Sequence, residues 1–191
     1  STNNQIKNIE NLKNMEHKKT PIEDIVPLGQ KIAFGAGNLT NQLLPAALGV
    51  FMFFLVVGFG MSPYKAGILA AIPRFMDAIL DPIMGYISDN TRSKWGRRKP
   101  YIFGGGIVVG IAFILMWQLR LPEAGNNHES YNFLYFLLMS IIFYLGYTVF
   151  AAPLIGLGYE MTPDYNERTR LMAISQFMGQ IAWMIAPWFW F

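Results

Sequence analysis

Apolar residues in this chain fall into long uncharged runs rather than short alternating ones. No charge occurs between Lys31 and Lys65, between Lys99 and Arg120, between Glu129 and Glu160, or from Leu171 to Phe191. A bilayer core of about 30 Å takes roughly 20 apolar residues in a helix, and each run can supply them. The stretch from Ala66 to Ser88 is also long and apolar, yet it holds three charges. The pattern predicts five membrane spans, and these must be helices because lipid offers no partner to open backbone groups. They cover Ile32 to Phe59, Ala66 to Ser88, Tyr101 to Leu119 and Asn132 to Leu157, with a fifth from near Leu171. The expected fold class is an all-α membrane protein: residues 1–30 form a polar segment and residues 31–191 the transmembrane helices. Pro21 and Pro27 mark the approach to the membrane. The fifth run reaches Phe191 with no polar flank, which predicts a helix cut short and further protein beyond it.

Composition alone, at 53% hydrophobic and 14% charged residues over 191 positions, would also suit a soluble domain with a large core. The distribution of charge decides. The net charge of +3 raises the question of nucleic acid, and the placement of the basic residues answers it. Lys7, Lys13, Lys18, Lys19 and Lys31 precede span one, Arg92, Lys94, Arg97, Arg98 and Lys99 follow span two, and Arg168 and Arg170 follow span four. Only Lys65 and Arg120 fall on the opposite side. By the positive-inside tendency the N-terminus and those loops are cytoplasmic, which accounts for the basic excess without a nucleic-acid partner. The expected location is a bacterial inner (plasma) membrane, crossed several times and surrounded by lipid. The first roughly 30 residues show no short apolar core or cleavage site, so no signal peptide is read. Cysteine is absent, which removes disulfides and thiolate metal sites. No phosphate loop, nucleophile triad or metal-ligand spacing supports an enzyme, and His17 and His128 lie in polar segments outside the spans. No cofactor is expected.

The candidate chemistry lies in the second span. At about 100° per residue, Asp77 falls about 60° and Asp81 about 20° from Arg74, so all three share one helix face. Each central charge costs about 2.5 to 3.5 kcal/mol on insertion, and each large apolar residue returns about 0.3 to 0.6. The eight such residues, Ile68, Leu69, Ile72, Phe75, Ile79, Leu80, Ile83 and Ile87, offset only part of that cost. This helix cannot present unpaired charges to lipid. Two carboxylates one turn apart disfavour joint ionisation, so a proton or monovalent cation relieves their repulsion. Pro82 lacks an N–H and frees a carbonyl one turn back as a further oxygen ligand. A static Arg–Asp pair is the plainer alternative, but it leaves the second carboxylate unexplained, and intramembrane ionisable residues are functional by default.

After this helix the chain reads Gly85-Tyr-Ile-Ser-Asp89-Asn-Thr91-Arg92-Ser-Lys-Trp95-Gly96-Arg97-Arg98-Lys99-Pro100. Gly85 is expected to allow close helix approach and Gly96 a tight turn. A solvated basic loop explains the Lys and Arg residues, not the Asp and Gly positions. The stretch Asp77-Ala-Ile-Leu-Asp81-Pro82-Ile-Met-Gly85, followed by Asp89, Thr91-Arg92, Gly96-Arg97 and Pro100, resembles the signature of the glycoside–pentoside–hexuronide:cation symporters. These are the melibiose-carrier family of the major facilitator superfamily. The similarity extends to Tyr147-Thr148 with Pro153 in span four and to Asp164, Glu167 and Arg168 in the next loop. It implies twelve helices in two six-helix halves with alternating access, so that this chain is most of the first half and its partner is the missing C-terminal half. The activity implied is cation- or proton-coupled symport of a sugar or related small hydroxylated solute. Carried over, Asp77 and Asp81 become the coupling-cation carboxylates with Thr148 as a further ligand, and Arg74 their charge partner. Asp89, Arg97 and Arg98 become a cytoplasmic gate. Leu80 stands where melibiose carriers have an asparagine that helps sodium use, which leaves Na+ and H+ both open. The acidic sugar-gripping positions align with Ala151 and with Asn41 (or Asn38 with a gap), and an arginine of span five aligns with Gln176. The scaffold is kept while the sugar grip is not.

Amides and aromatic faces suit hydroxylated rings, which makes Asn38, Asn41, Tyr147 and Gln176 the substrate-binding candidates. Gln42, Tyr144, Gln180 and Trp183 are weaker ones. Helix–helix hydrogen bonding is the competing role for each. Asn38-Leu39-Thr40 matches a glycosylation sequon but lies inside a span. Gly106 and Gly110 are expected to let helices pack closely. A reading of another class remains: a truncated or repurposed membrane subunit that does not transport, since rocking of two halves requires both.

Overall fold

The computed structural model describes residues 20–121, 123 and 128–190. The segment with Lys7, Lys13, His17, Lys18 and Lys19, the loop residues Pro122, Gly125, Asn126 and Asn127, and Phe191 lie outside the described residues. Among the described residues five α-helices run back and forth: α1 Leu28–Val57, α2 Pro63–Asn90, α3 Lys99–Met116, α4 Glu129–Glu160 and α5 Tyr165–Ile185. A 3-10 turn, Ile22–Asp24, precedes α1, and another, Ala186–Trp190, follows α5. Each predicted run falls on one helix. By length and composition α1 with its lead-in, α3 and α4 are long and apolar enough to cross a membrane. α2 and α5 are less apolar because they carry charges or amides, although at about 1.5 Å per residue each is roughly 30 Å long or more.

Local chemistry sets the boundaries. Pro63 occupies the first turn of α2, where its missing N–H costs nothing. Thr91 ends that helix in an extended conformation, and Gly96 turns the chain at φ 103°, a region glycine enters at no steric cost. The tight turn expected at Gly96 is therefore present. Asp164 caps α5 by accepting the Glu167 N–H at 2.9 Å.

α1 lies along α5, and α4 lies against both α2 and α3. At the α3–α4 crossing a Cβ on Gly105 would stand 2.6 Å from the Phe150 nitrogen and 3.0 Å from the Gly146 oxygen, so two backbones touch. The expectation placed this packing on Gly106 and Gly110. Instead Gly110 faces open space and Gly106 makes only ordinary contact. A shift of one residue turns a helix by about 100°, which is why the buried stripe runs through Gly105 and Val109. Gly85, expected to allow close approach, also meets nothing among the described residues.

The two ends of the bundle are held by different forces. One end is an aromatic and aliphatic core, in which Phe51 stacks on Phe136 at 5.3 Å among Leu55, Leu69, Met116 and Phe143. Asn132, fully buried, there brackets the Arg120 main chain with two bonds, 3.0 and 2.9 Å. The other end gathers the starts of α1, α3 and α5 with the finishes of α2 and α4, and it is held largely by ion pairs.

Candidate functional site

The packing of α2 on α4 brings Asp77 and Thr148 together. The Thr148 hydroxyl, 2% exposed, donates to Asp77 Oδ1 at 3.5 Å. That is long for an O–H···O bond, so it orients the carboxylate more than it binds it. Thr148 is also within interacting reach of Asp81. Asp77 is half-buried and Asp81 exposed, so the pair is open on the Asp81 side. Two carboxylates and a hydroxyl form a set of hard oxygen donors, and among the described residues no third His, Cys, Asp or Glu joins them. Such a set suits a proton or alkali cation better than a transition metal. Arg74 lies exposed on the same helix and acts on Asp77 through space. No ion pair joins it to either aspartate, so the expected charge partner works at longer range than a salt bridge.

The four substrate-binding candidates separate. The Asn38 amide donates to the Ser175 carbonyl at 2.8 Å and is buried between α1 and α5, the competing structural role. Tyr147 and Asn41 meet across α1 and α4, the tyrosine hydroxyl donating to the Asn41 main-chain carbonyl at 3.0 Å. Gln176 is exposed and lines a shallow groove with Tyr159, Arg168 and Met172. Among the weaker candidates, Trp183 Nε1 donates to Gln42 Oε1 at 3.2 Å, again tying α5 to α1.

At the ion-paired end Arg98 is the centre. Its guanidinium donates to Asp89 at 2.5 Å and to Glu160 at 3.0 Å, joining the ends of α2 and α4 to the start of α3. A Cβ on Gly156 would overlap that guanidinium, so Gly156 supplies the room and Glu160, one turn on, supplies charge. Arg97, placed beside Arg98 in the expected gate, is exposed and makes no ion pair among the described residues. The two adjacent arginines point apart, and of the pair it is Arg98 that reaches α4.

The resemblance named Glu167 without its partners, and sequence reasoning did not foresee the junction it forms with Lys31. Glu167, fully buried, pairs with Lys31 at 2.5 Å and accepts the Val26 N–H at 3.1 Å. Both hold its carboxyl below the ordinary range, Lys31 most strongly. Alongside, Thr20 donates to Asp164 at 2.9 Å and Thr162 donates to the Asp24 carbonyl at 2.9 Å. The residues leading into α1 are thereby fastened to the α4–α5 turn. The Asp-x-x-Glu spacing of Asp164 and Glu167 is a capping signal that marked this position in the sequence.

Comparison with known proteins gives a consistent result. A family model described as MFS/sugar transport protein matches residues 33–190. An uncharacterised symporter of Synechocystis is 37% identical over 74% of this chain and 26% of its own length. The inner membrane symporter YicJ of Escherichia coli is 28% identical over 78% of this chain and 32% of its own. A sodium-dependent lysophosphatidylcholine symporter of the mouse is 30% identical over 72% of this chain and 26% of its own. The chain thus spans about a quarter to a third of the curated relatives it matches.

Proposed function

The chain belongs to the MFS/sugar transport protein family, and on that premise we propose that it forms the N-terminal part of a secondary carrier performing cation- or proton-coupled symport of a sugar or related small hydroxylated solute. The observation that carries this reading is the meeting of Asp77 and Thr148 across α2 and α4, with Asp81 one turn away on the same helix. Paired carboxylates that cannot comfortably both ionise take up a proton or Na+ when the cavity faces high concentration, and give it up when it faces low. Ion occupancy then biases the carrier between its two faces, with a solute moving on the same transition. A relative named as sodium-dependent supports Na+ use on this scaffold, whereas Leu80 beside the site keeps H+ in contention. Names such as lactose permease among the relatives support a sugar-like solute.

In this reading the ion-paired end is cytoplasmic, because Lys31, Arg98 and Arg168 gather there, and the membrane is the bacterial inner one. The Arg98–Asp89–Glu160 network closes one face and opens as the halves rock. The test is uptake in vesicles containing the complete protein. Asp77→Asn and Asp81→Asn should each abolish gradient-driven accumulation while leaving the protein in the membrane. Undiminished accumulation in both single variants would sink the ion-site assignment.

A further inference from the structure

Tyr147 and Thr148 are neighbours on α4, yet their hydroxyls serve different helices. Thr148 reaches Asp77 on α2, and Tyr147 reaches the main-chain carbonyl of Asn41 on α1. That carbonyl needs an outside donor for a plain reason. In a helix it would accept from the N–H of residue 45, and residue 45 is proline, lying inside α1. The ladder of α1 therefore has one gap in mid-helix, and α4 fills it. The surroundings are closed: Asn41 is 5% exposed, and its side-chain Oδ1 is shut off from solvent with no partner among the described residues. The Tyr147 ring is also fixed in direction, parallel to Phe143 at 6.1 Å and edge-on to Tyr144 at 6.1 Å.

We propose that Tyr147 is a positioning residue that pins the proline gap of α1 to the turn of α4 carrying Thr148, so that closure of the ion site on α2 is transmitted to α1. The transport consequence rests on the ion-site reading above; the pin itself rests on geometry alone. A hydroxyl already donating to a buried carbonyl has no proton left for a solute, which leaves Tyr147 its acceptor lone pairs and its ring face for the substrate contact expected of it. Removal of the hydroxyl strands a buried acceptor, and α4 must turn or α1 must bend to rehydrate it. A turn of α4 moves Thr148 relative to Asp77.

The test is a double-mutant cycle in the complete carrier, using Tyr147→Phe, Pro45→Ala and both together. Pro45→Ala restores an N–H to the Asn41 carbonyl from within α1. Tyr147→Phe alone should raise the ion concentration for half-maximal uptake, Na+ and H+ each being varied, by roughly tenfold, the scale of one unsatisfied buried acceptor. The solute KM should stay fixed. In the Pro45→Ala background the same change should cost less than twofold. An equal cost in both backgrounds, or a shift confined to the solute KM, overturns the proposal. Should the parent protein show no uptake, the ion-site reading fails by itself, and the pin is judged on thermal midpoints in detergent. A drop with Tyr147→Phe that vanishes in the Pro45→Ala background upholds it, and an equal drop in both refutes it. Pro45→Ser, which also restores the N–H, replaces Pro45→Ala if that variant does not fold.

Discussion

Replacing Glu167 by Gln in the complete protein should loosen the junction between α1 and α5. The carboxylate is fully buried, its Oε1 contacts both Lys31 and the Val26 N–H, and Arg170 lies 3.7 Å from its other oxygen. A glutamine keeps the shape and can still accept from Val26, but it leaves Lys31, whose side chain is 13% exposed, without this countercharge. Breaking a buried pair from one side costs about 3 to 5 kcal/mol. Because the Lys31 stem can carry its head toward water, the lower end, about 3 kcal/mol, is expected here. Removing both charges with Lys31→Met and Glu167→Leu should recover much of that loss, since two apolar side chains need no mutual neutralisation. The pH dependence follows from the same contacts. Lys31 and the Val26 N–H hold the folded-state pKa of Glu167 below its ordinary 4.5, so the unfolded state binds the proton more readily. The stabilisation is complete above about pH 4.5 and is lost as the pH falls through the depressed folded-state value. The assay is the thermal midpoint of detergent-purified protein, followed by size-exclusion chromatography after heating, from pH 7 down to 3. A Glu167→Gln protein as stable as the parent at pH 7 refutes the argument, as does a double variant weaker than either single one.

Three more outcomes are expected. Gly156→Ala should push Arg98 off Asp89 and Glu160, and trypsin cleavage after Arg98 in open membranes should rise several-fold; unchanged cleavage contradicts the packing. Gly105→Ala should destabilise the α3–α4 pair by about 1 to 3 kcal/mol, because backbone at 2.6 Å cannot give way, whereas Gly110→Ala, facing open space, should be neutral in the same melting assay. Asn38→Leu removes the bond to the Ser175 carbonyl and should lower stability by about 0.6 to 1.7 kcal/mol, the range for interhelical bonds in membranes, with no change in solute KM.

Much of this architecture was legible because lipid makes charge conspicuous. The uncharged runs between Lys31 and Lys65, or Glu129 and Glu160, could be little else than spans, and Asp77 and Asp81 stood out because α2 could not hide them from lipid alone. What the sequence could not supply was rotation about each helix axis. Gly106 and Gly110 looked like the packing pair, yet the contact runs through Gly105, one step of about 100° away. Asn38 and Asn41 read alike as polar positions in one span, but one amide faces α5 and the other residue offers its carbonyl to α4. Arg97 and Arg98 were indistinguishable until Gly156 and Glu160, far along the chain, selected Arg98.

The same geometry gives α4 its place at the centre. Gly146, Tyr147 and Thr148 are consecutive, and successive steps of about 100° direct them to three different helices. Gly146 lies against Val108 and Val109 of α3, Tyr147 bonds the carbonyl of Asn41 on α1, and Thr148 lies 3.5 Å from Asp77 on α2. A glycine is needed where backbones meet, a long hydroxyl where a proline gap must be reached, and a short hydroxyl where a carboxylate lies close. Each of the three residue types follows from the helix it faces. Because the three residues share one turn of α4, a rotation of that helix would disturb all three contacts together, and the proposed ion site is thereby tied to the packing of the bundle.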